Sequence, residues 1–245
     1  MSKTRLYIES PIASERQLNV SGERARYISR VLRLKINDEL TLFDGSGAEF
    51  LANIAAVRKC GISLIVTGKI KKSVESPLTM HLLQGIPRGD RMDLIIRKVT
   101  ELGVHRITPI CSDYSVVRFD LERAKKRLNH WHKIAISACE QCGRNIVPEI
   151  SLPMSLQEWV IKNKNEQGIR LILKPNASAS INSIGVSENS LTLLVGPEGG
   201  FSDPEYALAR SNGFQSIRFG PRILRTETAA IAIISTLQAI YGDLN

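Results

Sequence analysis

Long apolar runs are missing from this chain of 245 residues. No stretch reaches the ~18 consecutive apolar residues of a membrane span, so no membrane partner is expected. The start, Met1-Ser2-Lys3-Thr4-Arg5, is basic, but no apolar segment follows it. A secretory signal is therefore not expected, and a cytoplasmic location is. Cysteine is scarce: Cys60, Cys111, Cys139 and Cys142 are too few for a disulfide framework in a chain this long. Cys139 and Cys142 form a C-x-x-C, but a second close pair is lacking, and His130 and His132 stand at no standard ligand spacing. The pair reads as small residues on a helix face, and no metal is expected. Nucleotide and hydrolase signatures are also lacking. There is no G-x-x-x-x-G-K followed by Ser or Thr, no G-x-G-x-x-G, no H-E-x-x-H and no G-x-S-x-G. These absences argue against a P-loop hydrolase, an ordinary dinucleotide fold, a zinc protease and a serine hydrolase.

What is present is ordinary globular material with an excess of cations. Hydrophobic residues make up 43% and charged residues 23%, which excludes a disordered tail or a fibre. The net charge of +9 points to a polyanionic partner, nucleic acid first, although a basic enzyme without such a partner has the same balance. The length allows one large domain or two small ones.

The first 72 residues read as mostly strand, over 5–8, 39–44, 49–57 and 62–70, with a short helix from Ser21 to about Leu32. Short strands at near-regular spacing suggest a small barrel. Residues 71–77 read as a linker ending in Pro77. Beyond it, strand alternates with helix. Strands are expected at 80–84, 106–110, 170–173, 191–195 and 216–219, and helices at 90–102, 120–141 and 227–241. Ser155-Leu156-Gln157-Glu158 is a capping box, and Ser202-Asp203-Pro204-Glu205 opens another helix. The alternation implies an α/β domain with a largely parallel sheet over 77–245, beside the small domain over 1–72. The last helix is apolar on almost every side and calls for a partner surface.

Two glycine-rich junctions follow strands of that sheet. One is Leu193-Leu194-Val195-Gly196-Pro197-Glu198-Gly199-Gly200-Phe201; the other is Phe219-Gly220-Pro221-Arg222-Ile223-Leu224-Arg225-Thr226-Glu227-Thr228-Ala229. Ligands of α/β domains bind beyond the carboxyl ends of strands. Glycine there lets backbone approach a ligand closely, so a side chain at Gly196 is expected to obstruct one while the chain stays folded. In the small domain Arg24, Arg26, Arg30, Arg33 and Lys35 crowd one helix and its exit. They form either a solvated face or a phosphate-contacting patch.

With Arg88-Gly89-Asp90-Arg91-Met92-Asp93 and Cys139-Glu140-Gln141-Cys142-Gly143-Arg144, these junctions resemble the RsmE family across essentially the whole chain. The resemblance implies a trefoil-knotted SPOUT methyltransferase domain and an N-terminal PUA-like RNA-binding barrel that includes Phe43-Asp44-Gly45-Ser46. It implies methylation of N3 of a uridine in 16S (small-subunit) ribosomal RNA, with S-adenosylmethionine as cofactor and a homodimer as the working unit. On these positions it places the cofactor against Leu173, Lys174, Pro175, Val195, Gly196, Gly199, Gly200, Phe219, Gly220, Ile223, Leu224 and Thr228.

Uridine N3 carries a proton and attacks poorly until it is lost. Charge then spreads to the flanking carbonyl oxygens, where a fixed guanidinium would stabilise it. Arg225 is the candidate, with Glu198 and Glu227 as bases or positioning groups; alternatively these carboxylates serve only their loop and helix N-terminus. Arg88 and Arg91 are expected at RNA phosphates, or paired along their helix with Asp90 and Asp93. Two rival readings stand: a non-catalytic ribosome-assembly factor, and a methyltransferase of another RNA.

Overall fold

Residues 4–12, 17–70, 73–115, 120–181, 184–185 and 189–244 are described by the computed structural model, so Lys71 and Lys72 of the expected linker lie outside it. Contacts divide the chain into residues 1–75 with 139–146, and 76–138 with 147–245.

In the first unit, β1 (Arg5–Tyr7), β2 (Gln17–Ser21), β3 (Glu39–Phe43), β4 (Glu49–Arg58) and β5 (Gly61–Ile70) form one sheet in the order β1-β3-β4-β5-β2. β1 runs parallel to β3, and the other pairs are antiparallel. Alternate residues such as Leu40, Leu42, Ile54 and Leu64 turn inwards on Leu6 and Ile28 to make its core. β2 has almost no pattern to announce it, because Val20 alone of its five residues is buried. The helix expected from Ser21 to Leu32 changes geometry midway: α1 (Gly22–Arg26) passes into a π-helical turn, Tyr27–Val31. There the Ser29 hydroxyl donates to the Ala25 carbonyl at 2.9 Å, a competitor to the regular ladder. Residues 139–146 are held by Arg5, which reaches Asn145 Oδ1 at 2.7 Å and Glu49 at 2.6 Å, and by Glu75, which accepts from Arg144 Nε at 2.8 Å.

The second unit alternates strand and helix as the apolar rhythm implies. Its elements are β6 (Thr79–Gly85), α2 (Arg91–Glu101), β7 (Arg106–Cys111), α3 (Leu121–Cys142), β8 (Glu149–Ile150), β9 (Met154–Ser155), α4 (Leu156–Lys162), β10 (Ile169–Leu173), β11 (Ala179–Ser180), β12 (Ser190–Val195), α5 (Asp203–Ser211), β13 (Phe214–Arg218) and α6 (Thr226–Tyr241). The main path of the sheet is β11-β13-β10-β12-β6-β7-β8, with β9 beside β7, and every pair is parallel. Successive strand residues face opposite sides. Leu82, Ile107, Leu171 and Leu193 pack with α2 and α6, whereas Leu83, Ile110, Ile172 and Leu194 pack with α4 and α5.

The expected capping box at Ser155 is present, and the helix start expected at Ser202 proves to be one too. Ser155 accepts from Glu158 N, and Ser202 accepts from Glu205 N ahead of Pro204. The last helix is less free than its composition suggests. Ala230, Ile233, Ile234 and Leu237 are buried within the fold, and Ile240 is exposed. No helix among the described residues is long and apolar enough to cross a membrane.

Candidate functional site

Three neighbouring strands of the second sheet end beside one another: Leu173 closes β10, Val195 closes β12, and Phe219 follows β13. Beyond the first two lies a cavity of about 510 Å³, within the ordinary size of a small-molecule site. Its wall combines Leu173, Pro175, Val195, Gly196, Gly199 and Gly200 from the first junction side with Ile223, Leu224 and Arg225 from the second. Glu198 is also at the wall. Most of the residues singled out in the two loops thus meet in one place.

Five do not line that cavity: Lys174, Phe219, Gly220, Glu227 and Thr228. Phe219 and Gly220 line a second cavity of about 470 Å³, which shares Leu224 with the first. The Lys174 ammonium instead stands 4.6 Å from the centre of the Tyr206 ring, and Tyr206 does line the first cavity. Thr228 is exposed on the first turn of α6. The wall also includes Pro197, Phe201, Tyr206, Thr226 and Ala229, which the sequence reading did not assign. Phe201 stands in the first junction and Ala229 ends the second, but Tyr206 is a helix residue with no local pattern to separate it from core positions.

The glycines shape the loop in a way the sequence did not suggest. A Cβ at Gly196 would lie 3.1 Å from Gly200 Cα and 3.4 Å from the Phe201 ring. A side chain there presses on its own loop, so a valine would reshape that loop rather than simply occupy the ligand's place. Gly200 has φ +69°, which favours glycine.

Arg91 and Asp93 are paired across the fold rather than along their helix. Arg91 pairs with neither Asp90 nor Asp93; its guanidinium pairs with Glu198 and stands 3.8 Å from Glu227. Asp93 pairs with His130 at 2.6 Å. The Arg88 amide donates to Glu198 at 3.2 Å, and its side chain is exposed. Partial burial works against the charge on Glu198, but loop amides and Arg91 outweigh it and hold the carboxyl below its ordinary value. A carboxylate so held is a weak proton acceptor and a good anchor. Glu227 is half-buried on α6, and its Oε2 has no hydrogen-bond partner among the described residues. Arg225 is exposed, and its guanidinium makes no hydrogen bond or ion pair among the described residues. Its charge, unpaired among the described residues, stands at the wall of an otherwise mostly apolar cavity.

The first unit carries its own basic cleft, about 380 Å³, lined by Arg26 and Arg30 on one side and Arg58 and Lys59 on the other. Of the arginines singled out in the sequence, Arg26 and Arg30 are here, and Arg58 and Lys59 are additions from the end of β4 and the turn after it. Arg33 is exposed outside the cleft, at φ +54°. Arg24 is committed elsewhere, to Glu140 at 2.8 Å.

The C-x-x-C has no reactive setting. Cys139 is buried, and burial pushes its thiol up to about 12. Among the described residues no group of three potential metal ligands assembles.

Comparison with known proteins places this geometry in a group. An RNA methyltransferase domain family matches residues 74–238, and an RNA methyltransferase PUA domain family matches residues 20–67. The chain is 39% identical over 241 residues to a ribosomal RNA small subunit methyltransferase E of Buchnera aphidicola, covering 98% of each. Among solved structures, a methyltransferase of Legionella pneumophila in complex with the cofactor SAM superposes with TM-score 0.95 at 39% identity, over 100% of both chains. A ribosomal RNA small subunit methyltransferase E of Neisseria gonorrhoeae bound to S-adenosyl methionine follows at TM-score 0.91 and 34% identity, again over 100% of both.

Proposed function

The chain belongs to the ribosomal RNA small subunit methyltransferase E family, and from that premise we propose that it methylates N3 of a uridine in 16S ribosomal RNA, using S-adenosylmethionine. The observation that carries the reading is the cavity between the two loops, with Arg225, unpaired among the described residues, on its wall. Its size suits a nucleoside carrying an amino-acid tail, and its backbone-rich wall can meet polar edges while Leu173, Val195, Ile223 and Leu224 meet flat apolar faces. S-adenosylmethionine supplies an electrophilic methyl group on a sulfonium and needs no metal for it.

The chain's own residues do the rest. Arg225 stabilises the negative charge that spreads over the uridine carbonyl oxygens as N3 loses its proton. Glu198, ionised and tied to Arg91 and the Arg88 amide, fixes the first loop and is a positioning group rather than a base. Glu227, with one oxygen unpartnered, is the better candidate to accept the proton. Phe219, Gly220 and Thr228 belong to the same reading as outer contacts of the cofactor, as does Lys174.

The basic cleft of the PUA-like unit, with Arg33 beside it, holds backbone phosphates, and Arg88 adds a cation near the second site. A free Arg24 or Arg91 is not part of this reading, since each is ion-paired. The reading also includes a trefoil-knotted domain over 77–245, the PUA-like domain over 1–72, cytoplasmic action, and a homodimer. Ile240, left exposed on α6, supports an apolar contact between copies. The decisive experiment is mass spectrometry of ribosomal RNA nucleosides from cells with and without the protein, followed by methyl transfer in vitro to free 16S RNA and to assembled small subunits. An unchanged level of 3-methyluridine in the deleted strain would sink the proposal.

A further inference from the structure

Gln84, the last residue but one of β6, has no exposed surface. Its Nε2 donates to the Gly85 carbonyl at 2.9 Å and to Thr226 Oγ1 at 2.9 Å. The Thr226 hydroxyl in turn donates to the Gly196 carbonyl at 2.6 Å. The directions follow from the groups themselves. An amide nitrogen only donates, so Thr226 must accept from Gln84, and its one proton is left for Gly196. Turning the amide over would set its oxygen against the Gly85 carbonyl.

The strand end and the loop also touch backbone to backbone: a Cβ at Gly85 would lie 2.6 Å from Pro197 N and 3.0 Å from Gly196 C. Thr226 follows Arg225 directly, and the Arg225 carbonyl accepts from Ala229 N at 2.8 Å, so Arg225 is fixed to the start of α6. Gly196, Thr226 and Arg225 all line the one cavity.

We propose that Gln84 and Thr226 are positioning residues: the amide aims the hydroxyl, and the hydroxyl locks the Gly196 wall of the cavity in register with Arg225. This rests on the functional reading above and deepens it, because it makes one hydroxyl the link between the cofactor side of the site and the cation that faces the target base. Neither residue touches the reacting atoms. Loss of the hydroxyl leaves both sides present but out of register, which is felt most when methyl transfer is under way.

The test is single-turnover methyl transfer to 16S RNA at saturating S-adenosylmethionine and RNA. It is read beside calorimetric cofactor affinity and the thermal midpoint. Thr226→Val keeps the volume and loses the hydroxyl, leaving the Gly196 carbonyl and a Gln84 proton unmatched; Thr226→Ser keeps the hydroxyl. The valine variant is expected to fall about tenfold or more in the saturated rate, and the serine variant to stay within about threefold of wild type. Gln84→Met keeps length and loses both donors, and is expected to fall as the valine variant does.

A purely structural role would move the thermal midpoint and leave the saturated rate alone. A valine variant with the wild-type saturated rate, or a serine variant as slow as the valine one, overturns the link. Wild-type protein that binds no S-adenosylmethionine would instead overturn the functional reading, and this inference with it.

Discussion

Arg91 and Glu198 stand 107 residues apart in the chain and form one ion pair at the mouth of the first glycine-rich loop. The pair ties the start of α2 to the residue after Pro197, where the loop leaves the end of β12. It converts two residues that look like separate RNA and catalytic candidates into a single brace.

The brace is partly exposed, so it is worth at most about 1 kcal/mol. Arg91→Gln is therefore expected to weaken S-adenosylmethionine binding by no more than about fivefold and to leave cooperative unfolding intact. Calorimetry at neutral pH checks this. A loss beyond about a hundredfold would mean that Arg91 touches the ligand itself. Because Glu198 is held below its ordinary 4.5, its contribution is fully present above that pH and is lost only as the pH falls below it.

His81 gives a separate pH signature. It is buried on β6, makes a 2.9 Å hydrogen bond to Thr108 through Nε2, and meets the edge of Trp159. Burial first, then the charge of Arg106, hold its imidazole down to about 3 from 6.5. The unfolded chain takes up a proton below 6.5 that the folded chain refuses. The neutral ring's stability is thus complete above 6.5 and drains away as the pH falls towards 3, by up to about 1.4 kcal/mol per pH unit. Urea midpoints measured from pH 7 to pH 4.5 should fall more steeply for wild type than for His81→Leu. Parallel slopes for the two proteins would refute the assignment.

The basic cleft predicts a salt effect. Changing Arg26, Arg30, Arg58 and Lys59 to glutamine should weaken RNA binding. The slope of log affinity against log salt should flatten by about 0.7 to 0.9 for each phosphate that is no longer neutralised. Cofactor affinity should not move. Arg24→Gln should instead cost stability by removing one of the two partners of Glu140, which keeps the Tyr7 amide, with little change in slope. A quadruple variant that keeps the wild-type slope would show the cleft to be solvated surface.

Arg225 carries the chemical prediction. Arg225→Ala should slow methyl transfer at saturating RNA by about 100- to 1,000-fold, the usual cost of removing a group that stabilises developing charge. Arg225→Lys keeps the charge but loses the planar fork of donors and should rescue poorly. Single-turnover kinetics with pre-bound RNA separate this from weaker binding. An alanine variant running at the wild-type rate would make Arg225 a binding residue.

The sheet and its helices were legible because their signals are local. Ile, Leu and Val runs mark β10 and β12, and Ser202-Asp203-Pro204-Glu205 caps α5 at the position its residue types dictate. Elements with little to bury were not legible: β2 buries Val20 alone, and β8, β9 and β11 are two residues each. The π-helical turn at Tyr27–Val31 has no residue pattern of its own.

In the site, the glycine loops announced themselves. What a sequence does not print is which distant charge meets which. Arg91 has Asp90 and Asp93 as neighbours in the chain, yet tertiary packing gives it Glu198. Gln84 reads as one of three polar residues in β6, beside Thr79 and His81, and only the fold shows that its amide donates to Gly85 and Thr226.

The strand order has a consequence for synthesis. β6 is made early in its unit, but its partner on one side is β12, and Leu83 must wait for Leu194 to complete that ladder. On a translating ribosome the middle of the sheet therefore stays open until the chain past Val195 has left the exit tunnel. Until then the apolar edge of β6 is available to other chains. Nascent protein should consequently depend on slow emergence or on chaperone cover far more than its final content of regular structure would suggest.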